Sequence, residues 1–223
     1  MSRSRKILIT GASGGLGLAV IEKFAQNGDA VVAVHSPRET PLAVSGVEWV
    51  SADLTKKTEV DKIFEKFDGL DAVVHCAGGF RFGMIDSISE SDFRFLNSLN
   101  FESAFFVARA AVPEIRKRGG GSMLFISSLA TQAPSAGMSA YAATKAAVNG
   151  MVLSLATELK KEGIRVNAVL PSIIDTPANR SAMPGSDPST WVSTRDLAQI
   201  LYRLTLDESK SITGALIPVP GRT

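Results

Sequence analysis

The chain has 223 residues, of which 45% are hydrophobic and 21% are charged, and its formal net charge is +2. This length and composition predict one globular α/β domain with a sizeable core, and they exclude intrinsic disorder. The near-neutral charge gives no electrostatic support for nucleic-acid binding. Arg3, Arg5 and Lys6 form the one basic run that stands out, and we interpret it as a solvated lead-in to the first strand.

The numbers of cysteines and histidines indicate whether a metal site is expected, and the hydropathy of the sequence indicates where the protein is located. Cys76 is the single cysteine, so it cannot form an intramolecular disulfide, and two histidines give no cluster spaced like a metal site. No stretch reaches about 18 apolar residues, and the N-terminus lacks the apolar segment of a signal peptide. We therefore expect a cytoplasmic protein with no metal site and no association with a membrane.

Short apolar, β-branched runs alternate with longer stretches of helical periodicity along the whole chain. This alternation is typical of a parallel sheet with helices on both faces. It predicts a single Rossmann-type doubly wound domain over residues 1–223, with a mainly parallel sheet of about seven strands. The predicted strands are 6–10, 30–35, 47–51, 70–76, 122–127, 164–170 and 215–219, and the predicted helices are 15–27, 57–67, 91–117, 139–162 and 193–206.

Two connections depart from the alternation. The segment 36–46 contains Pro37 and Pro41 and is too short for a regular crossover helix, so a loop or a single turn is expected. Residues 171–192 contain four prolines, which predicts a long loop. Because long loops in compact domains often cover binding sites, we interpret 171–192 as a substrate lid.

The first predicted strand runs into the glycine-rich loop Thr10–Gly17, with the sequence TGASGGLG, and then into a helix. Glycines let a backbone approach a pyrophosphate closely, and the helix N-terminus stabilises its negative charge. A plain tight turn is the alternative, but the strand before the loop and the helix after it favour phosphate binding. The residues expected to contact the phosphates are Gly11, Ser13, Gly14, Gly15, Leu16 and Gly17.

Tyr141 and Lys145 are four residues apart on a predicted helix, so their side chains are neighbours on one face. A free tyrosine has a pKa near 10, and a nearby ammonium lowers it, which suits the phenol to proton transfer near neutral pH. The alternative is an amphipathic pair with the tyrosine in the core and the lysine in solvent. Ser128, thirteen residues upstream, is either a catalytic hydroxyl or a polar strand end.

The glycine spacing Gly-x-x-x-Gly-x-Gly, the motif Tyr-Ala-Ala-Thr-Lys at 141–145 and Ser128 together resemble the short-chain dehydrogenase/reductase family over essentially the whole chain. Three weaker matches agree: Cys76-Ala77-Gly78-Gly79 resembles the family's Asn-Ala-Gly turn, Asn100 falls at its helix-four asparagine, and 171–176 matches its Pro-Gly-x-x-x-Thr segment. Cys76 and Ser172 replace the usual asparagine and glycine, and the cysteine is expected to loosen the turn.

The resemblance implies an NAD(P)-dependent oxidoreductase with Tyr141 and Lys145 as its catalytic pair. It implies that Lys145 also binds the nicotinamide ribose, that Ser128 orients the substrate oxygen, and that Asn100 holds a water in a proton relay. Asn100 could instead be an exposed helix residue, Asp53 a helix cap and Thr176 part of a turn. The further cofactor contacts that the resemblance implies are Asp53, Leu54, Cys76, Ala77, Gly78, Pro171, Ile174 and Thr176.

Cofactor choice depends on the end of the second strand, where an acid binds the ribose 2′-hydroxyl of NAD and an arginine nearby accommodates the 2′-phosphate of NADP. His35 stands there without a carboxylate, and Ser36 and Arg38 follow. NADP(H) is therefore favoured, and NAD(H) remains possible. Arg38 could equally be a solvated loop residue.

The stretch from Leu170 to Leu216 is similar to dihydropteridine reductase, a branch of the same family, which points to a pterin-like substrate. Ser128 and Asn100 instead resemble ordinary members. The alternatives are an ordinary ketone or 3-oxoacyl reductase, an alcohol dehydrogenase or, from another class, a non-catalytic NAD(P)-sensing protein.

Two further interpretations concern the substrate and a partner chain. In the lid, Met183 and Trp191 are apolar candidates for small-molecule substrate contacts, unless they only pin the loop to the core. The apolar run Phe101, Ala104, Phe105 and Ala108 is wider than one buried stripe needs, and family members pair through the helices at 91–117 and 139–162. A homodimer or homotetramer is therefore expected, unless the run packs wholly against the sheet.

Overall fold

Parallel strands form the centre of the molecule. In a computed structural model, which describes residues 4–40 and 44–222, the strands are β1 (Lys6–Thr10), β2 (Ala30–His35), β3 (Val47–Ser51), β4 (Ala72–His75), β5 (Gly121–Ile126), β6 (Ile164–Pro171), β7 (Ile174–Asp175), β8 (Val192–Ser193) and β9 (Leu216–Val219). Seven of them form one sheet in the order β3-β2-β1-β4-β5-β6-β9, and every neighbouring pair is parallel. The predicted strands and parallel sheet are confirmed.

Helices cover both faces of this sheet. They are α1 (Gly15–Gln26), α2 (Lys57–Phe64), α3 (Glu90–Leu96), α4 (Ser103–Arg116), α5 (Ser139–Leu159), α6 (Pro177–Ala182) and α7 (Thr194–Thr205). The core has two layers: one packs the sheet against α2, α4 and α5, and the other packs it against α1 and α7. Successive β1 residues alternate between them, because Leu8 joins the first and Ile7 and Ile9 join the second. The doubly wound Rossmann-type domain is confirmed.

The predicted helix 91–117 is interrupted by a π-helix over Asn97–Glu102, between α3 and α4. Ser89 starts α3, since its hydroxyl accepts a hydrogen bond from the Asp92 amide at 3.0 Å. π-turns in helices often mark functional sites, and this one carries Asn100.

Residues 171–192 are more ordered than the prediction of a long loop allows. The segment contains α6 as well as β7 and β8, which pair in a separate two-stranded sheet. Thr176 caps α6 by accepting the Asn179 amide at 3.2 Å, and Pro177 begins the helix, where its missing N–H costs nothing. The segment 36–46 does form turns where it is described, and Pro41 lies outside the described residues, as does Arg3.

Contrary to the sequence prediction, Arg5 is not a solvated residue of the basic run, because its side chain is bonded to other parts of the fold. Its guanidinium pairs with Asp29 at 2.6 Å and donates to the Thr205 hydroxyl at 3.1 Å. The side chain thereby connects the start of β1 to the end of α7. In the part of the chain that the structure describes, no helix is both long and apolar enough to cross a membrane.

Topology places the open crevice of the sheet above β1 and β4. From β1 the chain winds outward to β2 and β3, then returns to β4 on the other side of β1. Ligands of doubly wound sheets bind beyond the carboxyl ends of the strands at such a switch point. The glycine-rich loop follows β1, and the Cys76–Gly79 turn follows β4, so both lie at this crevice.

Candidate active site

The glycine-rich loop is shaped for close approach of a ligand. Gly11 adopts φ +65°, and a Cβ there would lie 2.6 Å from the Ala77 amide nitrogen. A Cβ on Gly17 would overlap the Gly11 carbonyl oxygen. Side chains at these two positions are therefore excluded, and the loop packs directly on the turn that follows β4.

Helix α1 begins at this loop with exposed hydrogen-bond donors. Its N-cap, Gly14, makes no side-chain capping bond, and its first turn contains no acidic residue. The first N–H groups of a helix have no partner within it and, with the helix dipole, favour an anion. The loop and the start of α1 therefore fit the diphosphate of a dinucleotide.

Asn100 holds the turn after β4 against α5. Its amide oxygen accepts the Gly79 N–H at 2.8 Å, and its amide nitrogen donates to the Gly79 carbonyl at 3.0 Å and to the Thr144 hydroxyl at 3.1 Å. The residue is only 1% exposed, so the alternative of an exposed helix residue is wrong. These bonds give its side chain a clamping role, and the expected role in holding a water remains a prediction.

Lys145 is buried beside the same turn. It is 4% exposed, and its amine donates to the Ile126 carbonyl at 2.9 Å. A Cβ on Gly78 would lie 3.1 Å from both the Lys145 amine and the Asn100 amide oxygen, which places the three residues together. Burial lowers the pKa of Lys145 to about 8. A solvent-exposed lysine in an amphipathic pair is thereby excluded.

Tyr141 and Ser128 meet at the end of β5. Burial raises the pKa of the Tyr141 phenol, and the hydrogen bond with the Ser128 hydroxyl opposes that rise. The net shift is upward, so the expected lowering of the Tyr141 pKa below its ordinary value is not what the structure shows. The Ser128 hydroxyl also accepts the Ala130 amide at 3.2 Å, which fixes its position. Tyrosine, serine and lysine thus lie in one site.

A buried histidine connects the strands beneath the site, and sequence analysis assigned it no role. The His75 ring lies 2.9 Å from the Thr10 hydroxyl through Nδ1 and 3.2 Å from the Ser103 hydroxyl through Nε2. Burial, with the nearby charge of Lys145, lowers the pKa of His75 to about 3. The neutral ring therefore joins the strand before the glycine-rich loop to the start of α4. Burial also raises the pKa of the neighbouring Cys76 thiol to about 12.

The far end of the crevice carries an acid that sequence analysis missed. The Ser13 hydroxyl donates to the Glu39 carboxylate, which joins the glycine-rich loop to the segment after β2. His35 is turned to its neighbour, with Nδ1 2.9 Å from the Ser36 carbonyl. The Ser36 hydroxyl accepts the Arg38 amide at 3.3 Å. A carboxylate therefore stands between the two loops, four residues beyond His35, the strand end at which an acid would indicate NAD.

Asp53 has a local structural role in this structure. Its carboxylate accepts the Thr55 hydroxyl at 2.7 Å and the Thr55 amide at 3.1 Å, and these bonds lower its pKa. It therefore shapes the turn before α2 but does not cap that helix, whose N-cap is Lys56, and Leu54 beside it is buried. Contact of either residue with a cofactor stays a prediction.

The segment 171–192 approaches the glycine-rich loop at Thr176. A Cβ on Gly15 would lie 2.9 Å from the Thr176 methyl group, so Thr176 stands over the start of α1. The Asn179 side chain donates to the Ile174 carbonyl at 2.8 Å and ties α6 to β7. Pro171 ends β6 and is buried. Trp191 is 7% exposed and belongs to the core, which favours the alternative that it pins the loop.

The profile of the short chain dehydrogenase family matches residues 5–186. The chain belongs to the short-chain dehydrogenase/reductase family. It is 31% identical to the 3-oxoacyl-[acyl-carrier-protein] reductase FabG of Thermotoga maritima, over 96% of this chain and 95% of that protein. The structure superposes with a TM-score of 0.90 on a short-chain type dehydrogenase/reductase from Mycobacterium ulcerans, with 26% identity over 100% of this chain and 90% of that one. It also superposes with a TM-score of 0.90 on ElxO with NADP bound, with 26% identity over 98% of both chains.

Membership in the short-chain dehydrogenase/reductase family makes this chain an NAD(P)-dependent oxidoreductase, as the motifs indicated. The expected similarity of its C-terminal half to dihydropteridine reductase is not supported by these relatives. They favour the alternative of an ordinary ketone or 3-oxoacyl reductase. Within residues 4–40 and 44–222, no group of three or more His, Cys, Asp and Glu side chains could hold a metal ion.

Proposed function

We propose that this protein reduces the ketone group of a 3-oxoacyl compound or a simple ketone, with NADPH as the hydride donor. The observation that carries this proposal is the close approach of the Tyr141 phenol to the Ser128 hydroxyl, with the buried Lys145 one helical turn further along α5. Similarity to the reductase FabG supports the ketone as the reacting group. The same residues would serve an alcohol dehydrogenase, because the reverse reaction passes through the same transition state.

Tyr141 supplies the proton. Its raised pKa keeps the phenol protonated at neutral pH, so it can donate to the carbonyl oxygen as negative charge develops there. The Ser128 hydroxyl, fixed by the Ala130 amide, hydrogen-bonds the same oxygen and orients it toward the phenol. A bound nicotinamide supplies the hydride.

Lys145 stabilises the phenolate that Tyr141 becomes after it has lost its proton. With a pKa of about 8, the amine is mostly protonated at neutral pH, and the Ile126 carbonyl holds it in place. The two side chains are one helical turn apart, which brings the ammonium near the phenol oxygen. The charge therefore acts on the product of proton transfer, and burial limits its screening by water.

NADP(H) is the proposed cofactor. Arg38 follows β2 without an acid at the strand end, and ElxO, a structural relative of this chain, binds NADP. Arginine in this region accommodates a 2′-phosphate. Glu39 opposes that phosphate by its charge and weakens the preference, so NAD(H) is a possible second cofactor.

Two other functions receive less support. A pterin reductase would require a substrate contact that no described residue identifies, and a similarity that the relatives do not show. A non-catalytic NAD(P) sensor would have no use for the proton-transfer groups of Tyr141, Ser128 and Lys145, which the structure brings together.

We further propose that the segment 171–192 covers the bound substrate. Thr176 lies over Gly15, so the first part of the segment is next to the glycine-rich loop. Met183, just after α6, is partly exposed and so remains available for contact with a substrate.

A homodimer or homotetramer in the cytoplasm is also proposed. Phe105 on α4 and Leu153 on α5 are 47% and 46% exposed, so the apolar run on α4 does not pack wholly against the sheet. Large apolar groups exposed on two neighbouring helices favour a second copy as the covering surface. The location is inferred from the single cysteine.

Steady-state oxidation of NADPH tests the reaction. Acetoacetyl thioesters, simple 2-alkanones and quinonoid dihydropterin are offered in turn, and turnover with the first two but not the third is expected. Turnover with the dihydropterin alone would replace the ketone proposal with a pterin reductase. Cofactor binding without turnover of any substrate would favour the sensor.

A further inference from the structure

The segment after the Cys76–Gly79 turn exposes apolar side chains near the catalytic tyrosine. Phe80, Phe82, Met84 and Ile85 are 45%, 67%, 51% and 78% exposed. Single exposed apolar residues are common on proteins, but several in succession mark a surface that binds something. We call these four residues the apolar wall.

The apolar wall is attached to the reaction site at two points. The ring centroids of Phe80 and Tyr141 lie 5.0 Å apart in an edge-to-face arrangement, with an interplanar angle of 79°. Phe82 packs so tightly on Gly137 that a Cβ there would overlap its ring, and the Gly83 amide donates to the Gly137 carbonyl at 3.0 Å. Gly137 lies just before α5, the helix that carries Tyr141. The wall is therefore continuous with the surface where a substrate oxygen must lie.

Arg81 is the one charged residue within residues 80–85, and its guanidinium donates to the backbone carbonyl of Phe80 at 2.8 Å. Arg81 forms an ion pair with Asp92 at 3.2 Å, and its guanidinium lies 4.1 Å from the ring centroid of Phe95. Both partners belong to α3. The guanidinium is thus engaged by that helix, and the surface left beside Tyr141 is apolar.

We propose that the apolar wall binds the alkyl or aryl substituent of the ketone, so that the preferred substrate carries an uncharged apolar group of several carbons. This inference rests on the proposed ketone reduction and adds no chemical step to it. Ligand sites commonly combine an apolar lining with a few polar groups that fix orientation. Here Tyr141 and Ser128 fix the oxygen, and the substituent crosses Phe80 toward Phe82. Each methylene that covers the wall leaves water and raises kcat/KM about two- to fourfold.

The test uses 3-oxoacyl thioesters of N-acetylcysteamine with acyl chains of four to twelve carbons. For the wild type, log kcat/KM should rise with chain length until the wall is covered. Phe82→Ser and Ile85→Ser should each flatten this slope, with a loss of about tenfold for the longest thioester, and Phe82→Leu should restore most of it. Ile212→Ser is the matched control, because Ile212 is exposed near the amino-terminal end of β6, at the opposite edge of the sheet from the apolar wall. The slope of log kcat/KM against chain length for this variant should equal that of the wild type.

A second measurement separates this inference from the proposed reaction. Calorimetry gives the affinity of 2-alkanones of increasing length for the NADP⁺ complex, which requires no turnover. If the affinity rises with the chain length of the alkanone and Phe82→Ser abolishes that rise, substrate binding by the apolar wall is supported even if no thioester is reduced. If the wild type reduces the thioesters but kcat/KM does not change with chain length, the proposed role of the apolar wall is wrong, whereas the proposed ketone reduction still holds. Dissociation of an oligomer by Phe82→Ser with the slope unchanged would also overturn it, because a second copy would then cover the wall.

Discussion

The two ends of the crevice are built differently. At the end proposed to bind the nicotinamide, Asn100 and Lys145 are buried, and their side chains are hydrogen-bonded to backbone groups of the turn after β4 and the end of β5. At the end proposed to bind the adenosine, Ser13 and Glu39 meet in an exposed contact between two loops. The reacting groups are thus fixed by the core, whereas cofactor choice rests on side chains that solvent can separate. Substitutions at the first end should change the rate by orders of magnitude, and those at the second by small factors.

The largest effect is expected from Tyr141→Phe, which removes the proton donor and keeps the ring that packs on Phe80. kcat should fall about 10³-fold, since positioned acid catalysis contributes about 10²–10⁴-fold. The Kd of NADPH should change less than twofold. Stopped-flow turnover and fluorescence titration measure the two quantities, and a variant that kept its rate would remove Tyr141 from the chemistry.

Asn100→Ala tests whether this asparagine is a clamp. The change leaves the Gly79 N–H and the Gly79 carbonyl without their partner, whereas the Thr144 hydroxyl keeps its bond to the Tyr141 carbonyl at 2.8 Å. An unpaired buried polar group costs about 1–3 kcal/mol, so the free energy of unfolding should fall by several kcal/mol at most. A clamp also predicts weaker NADPH binding, because the turn that carries Gly78 is freed. A lower kcat with unchanged stability and cofactor affinity would instead support a role confined to a water relay.

The buried His75 makes the free energy of unfolding depend on pH in the acid range. Its pKa is about 3 in the folded protein and about 6.5 in the unfolded chain, so below pH 6.5 the unfolded chain binds a proton that the folded protein does not. The free energy of unfolding therefore decreases as pH falls from 6.5 toward 3, by up to about 1.4 kcal/mol per pH unit from this residue. His75→Gln, which does not titrate in this range, should show a shallower decrease in urea denaturation. Equal slopes for the two proteins would show that His75 is not buried as a neutral ring.

The sequence predicts most of the buried end and little of the exposed end, for a physical reason. Parallel strands buried on both faces form continuous apolar runs, and helical spacing places Tyr141 and Lys145 on one face. Asn100 was found by motif position, but its clamp depends on partners at Gly79 and Thr144 that no local pattern reveals. The short helix α6 was missed because prolines indicate a loop as readily as the first residue of a helix.

Long-range side-chain contacts explain the remaining differences. The bond between Ser13 and Glu39 spans 26 residues, and the contact of Phe80 with Tyr141 joins the segment after β4 to helix α5. Neither has a periodic or motif signal. An acid was sought only at the end of β2, where the strand itself would position it, whereas the loop beyond returns Glu39 to the same place.

The smallest effect is expected from Glu39→Gln, and it addresses the exposed end. The substitution keeps a hydrogen-bond acceptor for the Ser13 hydroxyl and removes the negative charge from the region that a 2′-phosphate would enter. Exposed charges interact weakly through water, so the affinity for NADPH should rise only about three- to tenfold. The affinity for NADH, which lacks the phosphate, should change less than twofold. Glu48→Gln makes the same change of net charge on the exposed strand β3 and should alter neither. Titration of both cofactors at low and at high salt measures the difference, which should shrink as salt screens the charge. Equal gains for NADPH and NADH would mean that Glu39 acts only by restraining Ser13, and the choice of cofactor would then have to rest on Arg38 and the end of β2.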